Sequence, residues 1–410
     1  MNSFELIPTE ENLIHTLDKD LLKRNKDLVR FYDLILAQEG ASSIAIDGRW
    51  GSGKTFFVKQ SMLLINAKNP MSDMDDEKKA SIVYALPFPK KAEDMPENYD
   101  VAVYYDAWEN DNDTDPVLSL VYEIIKQLGI NYAFDDNSNA FKLAGSVLEA
   151  LTGRNINGII ENLKSDNPLT KIKEEKDLHE NIKNFFTELL VVFIDELDRC
   201  KPSYAVQLLE RIKHYLYDDR ITFVFSVNLG ELQHTIKHYY GNTFDACRYL
   251  DRFFDMRISL PPADKTAFYR EMGLESSYVL EKICRKVIDT YNMELREATR
   301  FYRQVKTAAY EPTHESRKFD FSFSDGKGRQ LLLMYVVPIL VGLKIVDISL
   351  YNQFVCGKSS KPLMDIYKDS DKGEWLATRL LNRNEAFEVE EGKSVVTVEQ
   401  KIQQLYDAIF

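Results

Sequence analysis

Between Gly48 and Thr55 the chain reads Gly-Arg-Trp-Gly-Ser-Gly-Lys-Thr, a glycine-rich turn that ends in a lysine and a hydroxyl. A polyphosphate needs those residue types at that spacing. Gly48, Gly51 and Gly53 let successive backbone N–H groups curl inward, Lys54 brings a positive charge to the β and γ phosphates, and the Thr55 hydroxyl is a ligand for Mg2+. Arg49, Trp50, Ser52 and Phe56 complete the stretch expected to wrap the nucleotide. The apolar run Ser43–Ile46 before it and Thr55–Gln60 after it predict strand, loop and helix in succession. In that context the pattern is a phosphate cradle rather than an ordinary glycine turn.

A second group of chemically able residues follows the apolar run Leu190–Ile194, namely Asp195, Glu196, Asp198 and Arg199. A continuous apolar run predicts a central parallel strand buried on both faces, and ligands bind beyond the C-terminal ends of such strands. Asp195 is therefore the expected Walker B acid, holding Mg2+ with Thr55, and Glu196 the expected general base that polarises the attacking water. Asp198 and Arg199 are expected to pair or to cap the next helix rather than to do chemistry. A third strand, Arg220–Asn228, follows after a helix-length spacer from Tyr204 to Tyr217. Asn228 at its end either hydrogen-bonds the lytic water or γ phosphate, the sensor role of additional-strand NTPases, or simply starts a turn.

Two further segments, Tyr104–Asp111 (Tyr-Tyr-Asp-Ala-Trp-Glu-Asn-Asp) and Tyr249–Phe254 (Tyr-Leu-Asp-Arg-Phe-Phe), complete a pattern with the tryptophan-bearing loop and Asp195–Pro202. In combination they resemble the KAP family of P-loop NTPases, over most of residues 20 to 360. The resemblance implies an additional-strand ATPase. The choice of ATP over GTP rests on it alone, because no base-selecting residue is identifiable. It places Asp106, Trp108 and Glu109 near the nucleotide. Trp50 and Trp108 then pack on each other, on the base, or in the core, the usual place for an aromatic at a strand end. If the segment around it is a helix beside the site, Arg252 acts on the γ phosphate of its own chain as a sensor, on that of a neighbour as an arginine finger, or makes only a surface salt bridge.

Many members of that family carry membrane helices between the two Walker motifs, and several bacterial members are linked to exclusion of phage. This chain departs from the membrane-bound pattern, since nothing between Thr55 and Leu190 approaches the ~20 apolar residues of a span. The run Leu331–Val346 is also short, and it contains Pro338 and Lys344, so a buried helix is expected there rather than a membrane hairpin. Lys and Arg number 52 against 65 Asp and Glu, a net charge of −13, which argues against broad binding to nucleic acid or anionic membrane and for protein partners. Cys200, Cys247, Cys284 and Cys356 form no C-x-x-C pair, so neither zinc nor a disulfide framework is expected and a reducing cytoplasm fits. The acidic start of the chain, without an apolar stretch, does not read as a signal peptide. His234 and His238 share a helix face without a third ligand, so no metal is expected on them.

Alternation of strands and helices predicts an α/β fold with a parallel sheet covered on both faces. The expected division is an N-terminal helical lead (1–40), the first half of the nucleotide core (41–129), a polar helical insert (130–188), the second half of the core (189–262) and a C-terminal helical domain (263–410). Within it, Lys68–Glu97 reads as a polar linker, Pro116–Leu128 as a helix, Tyr278–Tyr291 and Leu295–Ala309 as amphipathic helices, and Thr313–Gly328 as a loop. Val395–Val398 reads as a short strand. The function expected is Mg2+-dependent ATP binding and hydrolysis coupled to conformational change or assembly, with protein partners. The alternative is a slowly hydrolysing nucleotide-gated scaffold that recruits a separate effector. A role in phage exclusion is implied by the resemblance only.

Overall fold

The apolar runs flanking the two candidate motifs become parallel strands because each is covered on both faces. In the computed structural model, which describes residues 7–88, 99–127, 189–216, 219–275, 278–310, 322–323, 334–381, 387–388 and 394–395, five strands form one sheet. They are β1 (Ser42–Asp47), β2 (Val101–Asp106), β3 (Leu190–Asp195), β4 (Ile221–Val227) and β5 (Met256–Ser259), in the order β2-β3-β4-β1-β5. All pair in parallel. β4 lies between β1, which leads into the phosphate loop, and β3, which ends in the acids. That is the additional-strand arrangement.

Alternation along the strands divides the core into two layers. Val191 and Phe193 of β3, with Ile44 and Ile46 of β1, face the helices α1 (Glu10–Asp18), α2 (Asn25–Leu36), α3 (Lys54–Lys68) and α4 (Asp76–Tyr84). Leu190, Val192 and Ile194, with Phe223 and Phe225 of β4, face the other way, toward α5 (Pro116–Gln127), α6 (Pro202–Arg211), α7 (Leu229–Tyr240) and α8 (Ala246–Leu250). Full burial of one such aliphatic or aromatic side chain contributes about 1.5–3 kcal/mol, so every strand position is committed to one layer. Asp195, two residues after Phe193, falls on the α3 side by the same period of two.

The structure departs from the expected elements in places. The helical lead is broken, because Asp20 and Lys23 take positive φ angles of 44° and 55° and turn the chain between α1 and α2. The polar linker contains α4, capped by Asp75, whose side chain accepts from the Glu77 N–H. β5 was not anticipated. It is a four-residue edge strand with alternating exposure, too short for a periodic signal. α6 runs on into a π-helical turn, Ile212–Leu216.

Residues Ile7–Asp264 form one unit, and Lys265–Phe410 form most of a second. The second unit contains α9 (Lys265–Glu271), α10 (Val279–Thr290), α11 (Leu295–Tyr310), α12 (Val337–Val346), α13 (Ile348–Val355), α14 (Lys361–Ile366), α15 (Lys372–Leu381) and the short antiparallel strands β6 (Ser322–Phe323), β7 (Phe387–Glu388) and β8 (Ser394–Val395). The apolar run around Pro338 is a buried helix, α12, with Val337–Leu343 all inaccessible. A Cβ on Gly342 would lie 2.6 Å from Val287 Cγ1, so α12 can pack this closely on α10 only with glycine there. No helix among the described residues is long and apolar enough to cross a membrane. The insert 130–188, most of the loop 313–328 and Val396–Val398 lie outside the described residues.

Candidate nucleotide site

The loop between β1 and α3 is shaped by its glycines. Gly51 and Gly53 have φ of 80° and 91°, left-handed conformations that L side chains rarely adopt. A Cβ on Gly48 would stand 3.0 Å from Ser52 Oγ and 3.2 Å from Lys54 Cγ, filling the concavity. Lys54 opens α3 and is buried, and its Nζ donates to the loop's own carbonyls, Gly48 O at 2.5 Å and Arg49 O at 3.3 Å. Burial holds its ammonium below the ordinary lysine range, opposed by the charges of Asp198, Asp195 and Glu196. Thr55 follows on the first turn of α3, Arg49 is exposed, and Phe56 borders a small recess with Gly53 and Arg24. Arg24, which the sequence reading did not single out, donates to Ser52 O at 3.1 Å and so fastens the helical lead to the loop.

The acids sit across from the loop. Asp195 is wholly buried. Its Oδ2 accepts the Tyr104 hydroxyl at 3.1 Å and its Oδ1 accepts the Glu196 N–H at 3.0 Å. Each carboxylate oxygen retains a further lone pair for a cation. Tyr104 was also missed, since a tyrosine in an apolar strand reads as core. Strand alternation puts it on the face of Asp195, and the Lys59 ammonium lies 4.2 Å from its ring centre. Asp106, paired in register with Asp195, accepts the N–H groups of Trp108 (3.1 Å) and Glu109 (3.0 Å), and burial raises its carboxyl above the usual range.

Glu196 leaves the strand in a left-handed conformation (φ 59°, ψ 22°), uncommon for a residue with a side chain, and a 3-10 turn follows at Leu197–Arg199. Burial first, and the Asp195 charge next, push its carboxyl up to about 7, while Arg199 pulls the other way. Asp198 and Arg199 are neither helix caps nor peripheral. Asp198 is buried and accepts the Trp50 indole N–H at 2.5 Å, tying the acid turn to the phosphate loop. Arg199 Nε meets Glu196 Oε2 at 2.7 Å, and its guanidinium lies 5.8 Å from the Trp50 ring centre and 5.5 Å from that of Trp108. The two tryptophans are 43% and 52% exposed, so the core placement expected for them is wrong. They flank a cation instead.

Asn228 directly follows β4, with its backbone N–H beside Asp198. Its side-chain oxygen accepts the Glu231 N–H at 3.4 Å and caps α7, where Asp47 also accepts the Leu229 N–H at 2.8 Å. The amide nitrogen remains the donor for a sensor role. Arg252 is not brought to these groups. It is exposed beyond the end of α8, and the chain then enters β5 at Met256, paired with Ile44, reaching the level of Asp47 only at Ser259. The helix expected around it ends at Leu250, before the arginine.

The residues fit a metal-bound polyphosphate. Among the described residues Ser52 Oγ and Asp198 Oδ1 are buried without a hydrogen-bond partner, which leaves a donor and an acceptor open beside the loop. A desolvated lysine turned onto its own carbonyls has a better partner in a phosphate oxygen. Thr55 and Asp195 would hold the cation. The KAP family P-loop domain matches residues 25–311, more than half of the chain. No curated protein matches it.

Proposed function

The chain belongs to the KAP family of P-loop NTPases, and on that premise we propose that it binds ATP with Mg2+ and hydrolyses the β-γ bond by in-line attack of water. The observation that carries this reading is the joining of loop to acid turn by the Trp50–Asp198 hydrogen bond, with Lys54 within the field of Asp195, Glu196 and Asp198. The loop N–H groups and Lys54 bind and orient the phosphates. Thr55 and Asp195 would hold the cation, which when bound would supply charge neutralisation to the phosphates. Glu196 accepts the proton of the attacking water, and Asn228 orients that water or the γ phosphate.

Hydrolysis is coupled, in this proposal, to conformational change or assembly with protein partners in the cytoplasm, as the ATPase component of a system whose effector is a separate chain. A role in bacterial defence against phage is part of it and is supported by family likeness only. Equal phage plating on cells with and without the gene would count against that part. A second reading, a slowly hydrolysing switch, is favoured by the ion pair that occupies Glu196. Phosphate release by the wild type and by Glu196→Gln separates the two. Turnover abolished by the substitution supports hydrolysis as the working step. Negligible turnover in both, with nucleotide-dependent change in size, supports the switch.

A further inference from the structure

We propose that Arg199 latches Glu196, holding the catalytic base in check until the phosphate loop is filled, with Trp50 as the element that reports filling. This rests on the hydrolytic reading above. The left-handed backbone at Glu196 and the 3-10 turn after it bring the side chain of residue 199 over that of residue 196, and the resulting Nε to Oε2 contact of 2.7 Å is largely covered, at 23% and 15% side-chain exposure. The orientation of a carboxylate that already accepts from a guanidinium is set by that partner rather than by the lytic water. Arg199 therefore acts through Glu196 and is a positioning residue.

The latch is connected to the phosphate loop. The guanidinium lies over Trp50, a residue of the loop itself, and over Trp108 beyond β2. Trp50 is bonded through its indole N–H to Asp198, the neighbour of Arg199. Phosphate in the loop competes for Lys54, which bonds the carbonyls of Gly48 and Arg49, the two residues directly before Trp50. A shift of Trp50 moves at once one wall of the arginine site and the tether of the acid turn. The second wall, Trp108, is half-exposed and follows Asp106, whose carboxylate holds the Trp108 N–H.

The test uses the full chain, with phosphate release, calorimetry of Mg·ATP binding and intrinsic tryptophan emission. Arg199→Ala is expected to raise kcat about three- to fivefold, the size fitting loss of a partly exposed ion pair, with KM and ATP affinity unchanged within about twofold. Arg199→Lys, which keeps the charge, restores most of the restraint. Arg199→Ala placed on Glu196→Gln adds nothing, because the effect runs through the carboxylate. ATP changes the tryptophan emission of the wild type, and Arg199→Ala reduces that change. Trp108→Leu, at an exposed position, raises kcat in the same direction and serves if Arg199→Ala does not fold. An unchanged or lower kcat in these variants, with ATP binding intact, overturns the latch and leaves the hydrolytic reading standing. Absence of ATP binding by the wild type overturns both.

Discussion

The two edges of the five-stranded sheet are made by the same parallel strands over the same core, yet only one is chemically open. At the N-terminal edge the chain closes on itself: the Asp255 N–H donates to Ser43 O at 2.8 Å, the Ser43 N–H donates to Asp255 Oδ2 at 2.9 Å, and the Leu190 N–H donates to Arg220 O at 2.8 Å. The C-terminal edge gathers Asp47, Asp106, Asp195 and Asn228, faces the start of α3, and keeps Ser52 Oγ and Asp198 Oδ1 without partners among the described residues. Parallel strands present one edge to helix N-termini, whose N–H groups favour anions, and carboxylates there hold the counterpart cation. Scaffold and site are thus distinguished by the carboxylates and the helix start gathered at one edge, not by open hydrogen-bonding capacity, since Ser43 Oγ and Thr222 Oγ1 near the other edge are also buried without a partner among the described residues.

That contrast can be broken by substitution. The largest effect belongs to the loop: Lys54→Ala should lower ATP affinity and turnover together, by about 100-fold or more, measured by calorimetry and phosphate release. Glu196→Gln should come next, lowering kcat about 100-fold or more with binding retained, since a general base contributes about 10²–10⁴. Trp50→Phe should lower thermal stability by about 1–3 kcal/mol, because it leaves the buried Asp198 carboxylate with neither oxygen bonded by a side chain, and a scanning melt of the nucleotide-free protein reads this directly. At the opposite edge, Asp255→Ala should cost about 1 kcal/mol through the lost bond to Ser43 and change kcat less than about twofold. Arg252→Ala should leave turnover of the dilute chain within about twofold. A large loss that appears only at high protein concentration would give Arg252 a role on a neighbouring copy.

The readable parts of this molecule are those whose chemistry needs consecutive residues. A phosphate cradle must be built from one short turn, and a metal acid must follow its strand directly, so both patterns stand out in a single chain; the parallel α/β fold follows from the alternation around them, and its additional-strand type from the family resemblance. What could not be read depends on distance or on brevity. Trp50 and Asp198 are 148 positions apart in the chain, and no local pattern announces their hydrogen bond. Tyr104 has the residue type of a core strand position, and only register with β3 turns its hydroxyl toward Asp195. β5 is too short to show a period. Arg199 reads in the sequence as a residue that pairs or caps the next helix; it does pair, with Glu196, but its place over both tryptophans has no local signal.

Calorimetric titration of the full chain with Mg·ATP, repeated on Lys54→Ala, tests the central claim that loop and acids enclose one metal-bound triphosphate. The account predicts saturable heat at one site per chain, lost when magnesium is chelated and lost in the variant. Wild-type protein that gives no heat, or a Lys54→Ala variant that binds as tightly as the wild type, would contradict it.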